Sequence, residues 1–317
     1  MANVPAGHKA DVVKALGCLL LVGTLLALSL SVAKFADAAE LPRLSFLMVA
    51  MAGASLAQLL LSLPKRAHWR LDRRIIEYAL VAGILLAMPN ALGFLAVRHV
   101  GAGFVSLSFA FPILVTWLLA VLLRMESLRW DRLSGVLLGL AGGVVLALSK
   151  AEAGGGQLGW SLLILLLPVM LALGNIYRTW RWPDGVPLTY LTALVLAGAA
   201  LGLLPIALAT EPGQIGVLFD SSAAVGLLMV EMAIFTVLYL FFFILQRLAG
   251  PVYLSQIGTV AAVMGTAIAV LFLGESAPPN LAIAGGLVIA GTLVFQHASW
   301  RAVPSSTRPA IHQPEES

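Results

Sequence analysis

Charged residues are scarce in this sequence. Asp, Glu, Lys and Arg make up only 11% of its 317 residues, whereas 60% are hydrophobic. Soluble domains average about 25% charged residues, and a soluble fold of this length could not bury so much apolar surface. The composition therefore predicts an integral membrane protein. The net charge of +4 does not indicate nucleic acid, because the positive residues gather at the ends of apolar segments.

The residues that build redox, metal and catalytic sites are also scarce. The single cysteine, Cys18, lies in an apolar run, which excludes an intrachain disulfide. The sequence has no cluster of metal ligands and no glycine-rich phosphate loop, so we expect no metal, no other cofactor and no ATP-driven pump. GASL at 53–56 resembles a serine-nucleophile box, but no histidine is predicted at membrane depth to activate Ser55.

Long apolar segments, in contrast, follow one another along the whole chain. A helix needs about 20 mostly apolar residues to cross a bilayer. We therefore expect an all-α integral membrane protein with ten transmembrane helices. The predicted helices cover residues 15–33, 44–63, 76–97, 102–123, 133–149, 160–178, 187–209, 222–246, 252–273 and 280–298. The first of them lacks a persuasive signal-peptide cleavage site, so we interpret it as a spanning helix.

The distribution of Lys and Arg predicts the orientation in the membrane. With the N-terminus in the cytoplasm, 15 of the 19 Lys and Arg residues fall in cytoplasmic segments. The positive-inside rule therefore places both termini in the cytoplasm. We expect the membrane to be a bacterial inner membrane. The basic segment at 65–74 is then a determinant of topology first and a contact for anionic membrane lipid second.

The two halves of the chain align when the sequence is shifted by 149 residues. FLAVRHVGAGFVSL at 94–107 aligns with FILQRLAGPVYLSQ at 243–256; both contain Arg-x-x-Gly, and Ser106 stands opposite Ser255. Each half has five predicted helices, and since five is odd, the second half enters the membrane from the opposite side. Inverted repeats of this kind are typical of secondary transporters, because the two halves give inward-open and outward-open states of similar energy.

The repeat divides the chain into five parts. They are a cytoplasmic N-terminus at 1–14, a first five-helix repeat at 15–149, a linker at 150–159, a second, inverted five-helix repeat at 160–298 and a disordered cytoplasmic tail at 299–317. Glycines at four-residue spacing in GVLLGLAGG, at 135–143, favour close helix packing within the chain or a dimer face. We therefore expect a monomer or a weak homodimer.

With these features the chain resembles the drug/metabolite transporter superfamily, and its EamA-type members in particular. The second half contains AVLFLGESAPPNLAIAGGLVIAGTLVF at 269–295, an apolar helix that ends in Gly-Glu and precedes a glycine-rich helix. The first half contains AVLLRMESLRWDRLSGVLLGLAGGVVLAL at 120–148, which keeps the Glu but has Met125 before it. The resemblance covers about residues 15–298 and implies a transporter that exports small metabolites by alternating access, with two EamA-like repeats.

One acidic residue stands out at membrane depth. Glu231 lies near the middle of the predicted helix 222–246, and no other charged residue occurs between Asp220 and Arg247. A charge at the bilayer centre costs about 2.5–3.5 kcal/mol on insertion scales, so such residues mark functional sites. No Lys or Arg is expected at this depth, and burial then favours the neutral carboxyl. We predict a role in substrate recognition, proton coupling or both; the alternative is a structural hydrogen bond to a neighbouring helix.

Other polar and aromatic side chains within the predicted helices are candidates for the substrate cavity or for contacts between helices. They are Asn90, Tyr239, Gln256, Ser106, Ser108, Thr259, Trp117 and Asn175. A cavity without a deep Lys or Arg disfavours polyanions and suits amines, zwitterions such as amino acids, or neutral amphiphilic compounds. An intramembrane enzyme, a channel and a structural or scaffolding membrane protein are the alternatives to a transporter.

Overall fold

Apolar runs can cross a membrane only with every backbone hydrogen bond satisfied internally, and the chain meets this demand with helices. The computed structural model describes residues 6–101 and 158–272 without 165, together with shorter stretches and single positions between 105 and 145 and between 274 and 294. All regular structure in this part of the chain is helical. The helices are α1 (Ala6–Ala38), α2 (Arg43–Ser62), α3 (Arg73–Val100), α4 (Pro112–Leu122), α5 (Leu158–Ile164), α6 (Leu167–Trp180), α7 (Leu188–Thr210), α8 (Ser222–Leu254) and α9 (Ile257–Leu271), with 3₁₀ turns at Leu63–His68 and Gln214–Phe219.

Six helical segments are long and apolar enough to cross a membrane. They are Lys14–Ala38, Arg43–His68, Arg73–Val100, Leu162–Trp180, Leu188–Thr210 and Ser222–Leu248. These six correspond to the first, second, third, sixth, seventh and eighth helices expected from the sequence. The chain is therefore all-helical with the features of a multi-pass membrane protein. Ten helices and an inverted repeat stay predictions, because much of the expected fourth, fifth and tenth helices lies outside the described residues.

Local signals explain several helix ends. Asp72 precedes α3, and its side chain accepts a hydrogen bond of 2.9 Å from the backbone N–H of Ile75, which satisfies one of the free amides of the first turn. Gly101 ends α3 with a φ of 82°, a backbone conformation that favours glycine. The predicted helix 222–246 was expected to end before the second Arg-x-x-Gly, but this was wrong, since α8 continues through Gly250 to Leu254.

The central helices pack by close approach of their backbones. α7 lies against both α2 and α3, while α8 packs on α1 and α2. At the crossing of α3 and α7, a Cβ added to Gly83 would lie 2.5 Å from the backbone N of Ala199, and one added to Gly198 would lie 2.3 Å from the carbonyl O of Ala79. Small residues at such crossings let helices in a membrane gain dispersion contacts. This crossing holds α3, and with it Asn90, in place.

Candidate functional site

The buried face of α8 carries the acidic residue that the sequence singled out. Leu228, Glu231, Phe235 and Leu238 are all buried and recur at intervals of three or four residues, which puts them on one side of the helix. Tyr239 is also buried and adjoins this stripe. Glu231 therefore points into the helix bundle and away from lipid.

Glu231 is completely buried and contacts α1. Its Oε1 accepts a hydrogen bond of 2.5 Å from the Ser29 hydroxyl. Its second oxygen, Oε2, is buried without a hydrogen-bond partner among the described residues. No Lys or Arg among the described residues forms an ion pair with it.

A central pocket lies between the helices, about two turns along α8 from Glu231. It is lined by polar residues Asn90, Asn175, Arg178, Tyr239 and Ser255 and by apolar residues Val22, Leu26, Leu86, Phe109, Pro112, Leu171, Leu238, Phe242, Leu254, Ile257 and Gly258. Its volume is about 50 Å³. Ligand pockets usually measure about 300–1,000 Å³, so the helices must separate before a metabolite can be bound here.

A hydrogen-bonded network forms the polar wall of this pocket. The Arg178 Nη2 donates to Asn175 Oδ1 at 2.7 Å, and Asn175 Nδ2 donates to the Ser255 hydroxyl at 3.1 Å. The Ser255 hydroxyl lies 2.9 Å from that of Thr116. On the facing helices, the side chains of Asn90 and Tyr239 are hydrogen-bonded to each other. Two hydrogen-bonded groups therefore surround this small space, one joining α6 to Ser255 and α4, and the other joining α3 to α8.

Arg178 overturns one expectation. From the sequence, Arg178 was one of the cytoplasmic positive charges that set topology. We also expected a cavity without Lys or Arg, and that expectation was wrong. Its side chain is only 1% exposed and lines the central pocket. Side chains of a helix lean towards its N-terminus, so the guanidinium folds back over the preceding turn. There Gly174 leaves room for it, since an added Cβ would lie 2.9 Å from Nη1.

Aromatic rings and one ion pair close the bundle where α3 begins and α6 ends. The rings of Tyr78 and Tyr177 stack at 6.2 Å, and Trp182 packs against Tyr78 at 6.4 Å. Beyond them, Arg181 donates to Glu77 at 2.9 Å. The hydrogen bond and negative charge of Glu77 raise the pKa of the Arg181 guanidinium above its ordinary value. Arg178 therefore lies behind a layer of aromatic side chains.

A second pocket, more polar and of about 700 Å³, lies at the opposite end of the bundle. Arg43 and Asp37, which form an ion pair, contribute to its wall. Glu211 also lines it, and its carboxylate accepts hydrogen bonds from the backbone N–H of Leu44 at 3.0 Å and of Ser45 at 2.7 Å. A carboxylate at this position caps the N-terminus of α2 and complements its helix dipole.

The candidates from the sequence separate into two groups. Asn90, Asn175 and Tyr239 meet at the central pocket. The other described candidates, Glu231, Ser108, Trp117, Gln256 and Thr259, do not line it. Ser106 lies outside the described residues.

Three of the residues outside the pocket contact the protein's own core or backbone. Trp117 is fully buried in the apolar core. Ser108 is also buried, and its backbone carbonyl accepts from Phe111 at 3.4 Å. Gln256 precedes α9, where its carbonyl accepts from Thr259 at 3.0 Å.

Of the polar and aromatic residues that line the pocket, sequence reasoning missed Arg178, Ser255, Phe242 and Phe109. The guanidinium carbon of Arg178 lies 5.1 Å from the centre of the Phe242 ring, within cation–π range. One signal was present, because a glycine stands one helical turn before the arginine and removes the side chain that would otherwise compete for that space. Ser255 had been noted only as the alignment partner of Ser106.

Ser55, the serine of the sequence that resembles a nucleophile box, forms a contact between helices. The Ser55 hydroxyl donates to the carbonyl of Ala193 at 2.8 Å, which makes it a contact between α2 and α7. No group of three or more His, Cys, Asp or Glu that could hold a metal ion occurs among the residues that the structure describes.

Comparison with known proteins identifies a distant relative. The chain is 27% identical over 265 residues to the S-adenosylmethionine/S-adenosylhomocysteine transporter of Chlamydia muridarum (strain MoPn / Nigg), covering 79% of this chain and 81% of that protein. A solved crystal structure with 20% identity shares the fold, with a TM-score of 0.65 over 92% of this chain and 99% of that one. No protein-family model matches the chain, so membership of the drug/metabolite transporter superfamily stays a prediction.

The transporter relative and the long apolar helices indicate the same class of protein. A multi-pass membrane protein with a role in small-molecule transport is supported, and an enzyme is not indicated.

Proposed function

We propose that this chain is a secondary transporter of the drug/metabolite type, which moves small metabolites through the central pocket by alternating access. The observation that carries the proposal is the meeting of buried polar side chains from several long apolar helices at one pocket. Polar and ionisable residues in such surroundings are costly, and they mark substrate pathways. The direction we propose is export across a bacterial inner membrane, with both termini in the cytoplasm.

Helix packing supports an inverted repeat as the basis of this mechanism. Exchanging the two halves turns α1, α2, α3 and α4 into α6, α7, α8 and α9. In the first half, α1 packs on α8 and α9. The exchange predicts that α6 packs on α3 and α4 in the same way, and both of these contacts are present. The packing of α2 on α8 likewise becomes that of α7 on α3, and α2 packs directly on α7.

The centre of the pocket supports the same symmetry. Asn90 and Tyr239 are 149 positions apart, which is the offset of the sequence repeat, and their side chains are hydrogen-bonded to each other. In a molecule with two-fold symmetry, residues that lie near the axis contact their symmetry-related residues in the other half. An axis between Asn90 and Tyr239 would run through the pocket, where inverted-repeat transporters hold their substrates.

The relative suggests the class of substrate. Both compounds in its name are amino-acid derivatives. The central pocket, with amide and hydroxyl groups on an otherwise apolar wall, suits amino acids and their derivatives, amines or neutral amphiphilic compounds. We propose this set as the range of substrates.

We propose that Glu231 couples transport to protons. It lies on the same side of α8 as Tyr239, about 12 Å along the helix, and contacts α1 through Ser29. Its Oε2 has no partner among the described residues, so an ionised carboxylate here would be poorly stabilised in this conformation. Movement of α1 against α8 that admits water would allow the carboxyl to release its proton.

Transport into proteoliposomes tests the proposed function. The purified protein is assayed with S-adenosylmethionine, amino acids and amines, each with and without a pH gradient. We expect uptake of at least one compound above that of protein-free vesicles. Transport of none, together with hydrolysis of a lipid or peptide, would overturn the proposal in favour of an intramembrane enzyme.

Glu231→Gln tests the coupling role, since it keeps the shape and hydrogen bonding of the side chain but cannot ionise. We expect the uptake driven by a pH gradient to fall at least about tenfold, equivalent to about 1.4 kcal/mol. Glu77→Gln is the matched control, because that carboxylate is 49% exposed at a helix end. An unchanged pH profile in Glu231→Gln would show that this carboxyl is structural.

A further inference from the structure

The central pocket contains a positive charge that forms no ion pair with a described carboxylate. Arg178 is 1% exposed, and its Nε and Nη1 are buried without hydrogen-bond partners among the described residues. Its Nη2 donates to the neutral side chain of Asn175, and no described carboxylate forms an ion pair with it. Burial of a guanidinium costs several kcal/mol unless an anion compensates it. The pocket is therefore electrostatically incomplete when empty.

We propose that Arg178 binds the carboxylate of the transported substrate, so that the protein selects carboxylate-bearing metabolites such as amino acids and their derivatives over amines and neutral compounds. This inference rests on the proposed function and narrows its range of substrates. Guanidinium groups suit this purpose, since their planar donors match the geometry of a carboxylate.

The surroundings of the guanidinium favour a single negative charge. Asn175, Tyr239, Ser255 and Asn90 are uncharged polar residues, and Arg178 is the only Lys or Arg among the described residues that line the pocket. One guanidinium balances one carboxylate. A phosphate dianion would leave a buried negative charge uncompensated, and buried unpaired charges are strongly unfavourable.

The guanidinium is also held in a defined position. Asn175 accepts from it at 2.7 Å, the Phe242 ring lies against it at 5.1 Å, and Gly174 provides the space beneath it. The Tyr78 hydroxyl donates to the backbone carbonyl of Arg178 at 3.3 Å, which ties the end of α6 to α3. A donor positioned before binding loses little conformational freedom when the ligand arrives.

The remaining wall of the pocket is apolar. Leu26, Leu86, Leu171 and Leu238 are among the residues that form it. A carboxylate at Arg178 would direct the rest of a metabolite along this wall, towards Asn90 and Tyr239. The pocket thus combines one charged anchor with an apolar surface that accepts side chains of different shapes.

Paired ligands test the inference on the wild-type protein. Thermal shifts of the detergent-purified transporter are measured with S-adenosylmethionine against decarboxylated S-adenosylmethionine, with phenylalanine against phenethylamine, and with inorganic phosphate. We expect at least one carboxylate compound to raise Tm, with at least about tenfold weaker binding of its decarboxylated partner, since a charged hydrogen bond contributes about 1.5–3 kcal/mol. Equal binding within every pair, stabilisation by phosphate alone, or no stabilisation by any carboxylate would overturn the inference.

Substitution then assigns the preference to one side chain. Arg178→Gln removes the charge. Arg247→Gln is the matched control, because Arg247 is exposed near the C-terminal end of α8 and does not line the pocket. We expect Arg178→Gln to reduce the carboxylate preference at least tenfold while the decarboxylated partner binds as before, and we expect Arg247→Gln to keep the preference. An equal loss for both partners would show a structural role and overturn the inference.

The two proposals fail in different ways. Transport of amines or neutral compounds without any carboxylate preference would leave the transporter intact and refute the role of Arg178. If Arg178→Gln does not fold, the wild-type pairs decide the question by themselves.

Discussion

A methyl group added at Gly174 should displace Arg178 with only a modest loss of stability. The new Cβ would lie 2.9 Å from Nη1, 3.4 Å from Nη2 and 3.3 Å from the carbonyl O of Leu85, whereas ordinary contacts are 3.4–4 Å. The carbonyl belongs to the backbone and cannot yield easily, so the guanidinium must shift, by roughly 0.5–1 Å. The 2.7 Å hydrogen bond to Asn175 would then exceed about 3.2 Å, the upper limit of good geometry.

The size of the effect follows from that hydrogen bond. Hydrogen bonds to charged groups contribute about 1.5–3 kcal/mol, so a misplaced guanidinium should weaken binding of a carboxylate ligand about tenfold to hundredfold. The same lost hydrogen bond also lowers the stability of the ligand-free protein, and the higher helix propensity of Ala over Gly, about 1 kcal/mol, offsets only part of that loss. We therefore expect Gly174→Ala to lower ligand affinity by a larger factor than its modest effect on Tm would explain.

The assay measures the affinity for S-adenosylmethionine or phenylalanine, whichever stabilises the wild type, together with Tm in the absence of ligand. Gly159→Ala is the matched control, since a Cβ at Gly159 meets no atom within 4 Å. Unchanged affinity in a folded Gly174→Ala variant would refute the argument that this glycine positions the guanidinium for a ligand. A large fall in the Tm of the empty protein would show instead that the site controls helix packing.

Three further predictions concern stability and topology. Gly198→Ala places a Cβ 2.3 Å from a carbonyl oxygen of α3, so we expect the free energy of unfolding to fall by about 1–3 kcal/mol and Tm to decrease. In the control Gly226→Ala the Cβ has nothing within 4 Å, so Tm should stay or rise, and equal Tm values in the two variants would contradict the close crossing of α3 and α7. Glu211→Ala removes the cap of α2 and should cost about 0.5–2 kcal/mol, measured as a fall in Tm, and an unchanged Tm would mean that water replaces the carboxylate. In intact cells, a membrane-impermeant thiol reagent should label Asp220→Cys but not Arg70→Cys, because the proposed orientation places position 220 outside and position 70 in the cytoplasm. Both positions are exposed, so the reverse labelling pattern would show that the proposed orientation is inverted.

The amino-acid sequence by itself determined where the membrane helices lie. The segments expected at 44–63 and 187–209 correspond to Arg43–Ser62 and Leu188–Thr210, within a residue at each end. Such helices can be predicted because hydropathy is a local property, and an uninterrupted apolar run of about 20 residues satisfies its backbone hydrogen bonds within itself as a helix. The burial of Glu231 was also expected, since a charge at the bilayer centre is costly and a carboxyl group at that depth faces the helix bundle and not the lipid.

Only the tertiary structure decided which polar groups meet. Arg178 reads as a topology determinant because it lies in the last turn of α6. A guanidinium on a long side chain can reach either outward to water or back along its helix, and the choice depends on neighbours from α3 and α8 that are distant in sequence. Trp117 and Asn175 likewise look alike as polar groups in apolar runs, yet one is packed in the core and the other lines the pocket. A site formed between helices is a property of their packing, and local sequence patterns contain no information on which faces will be opposed.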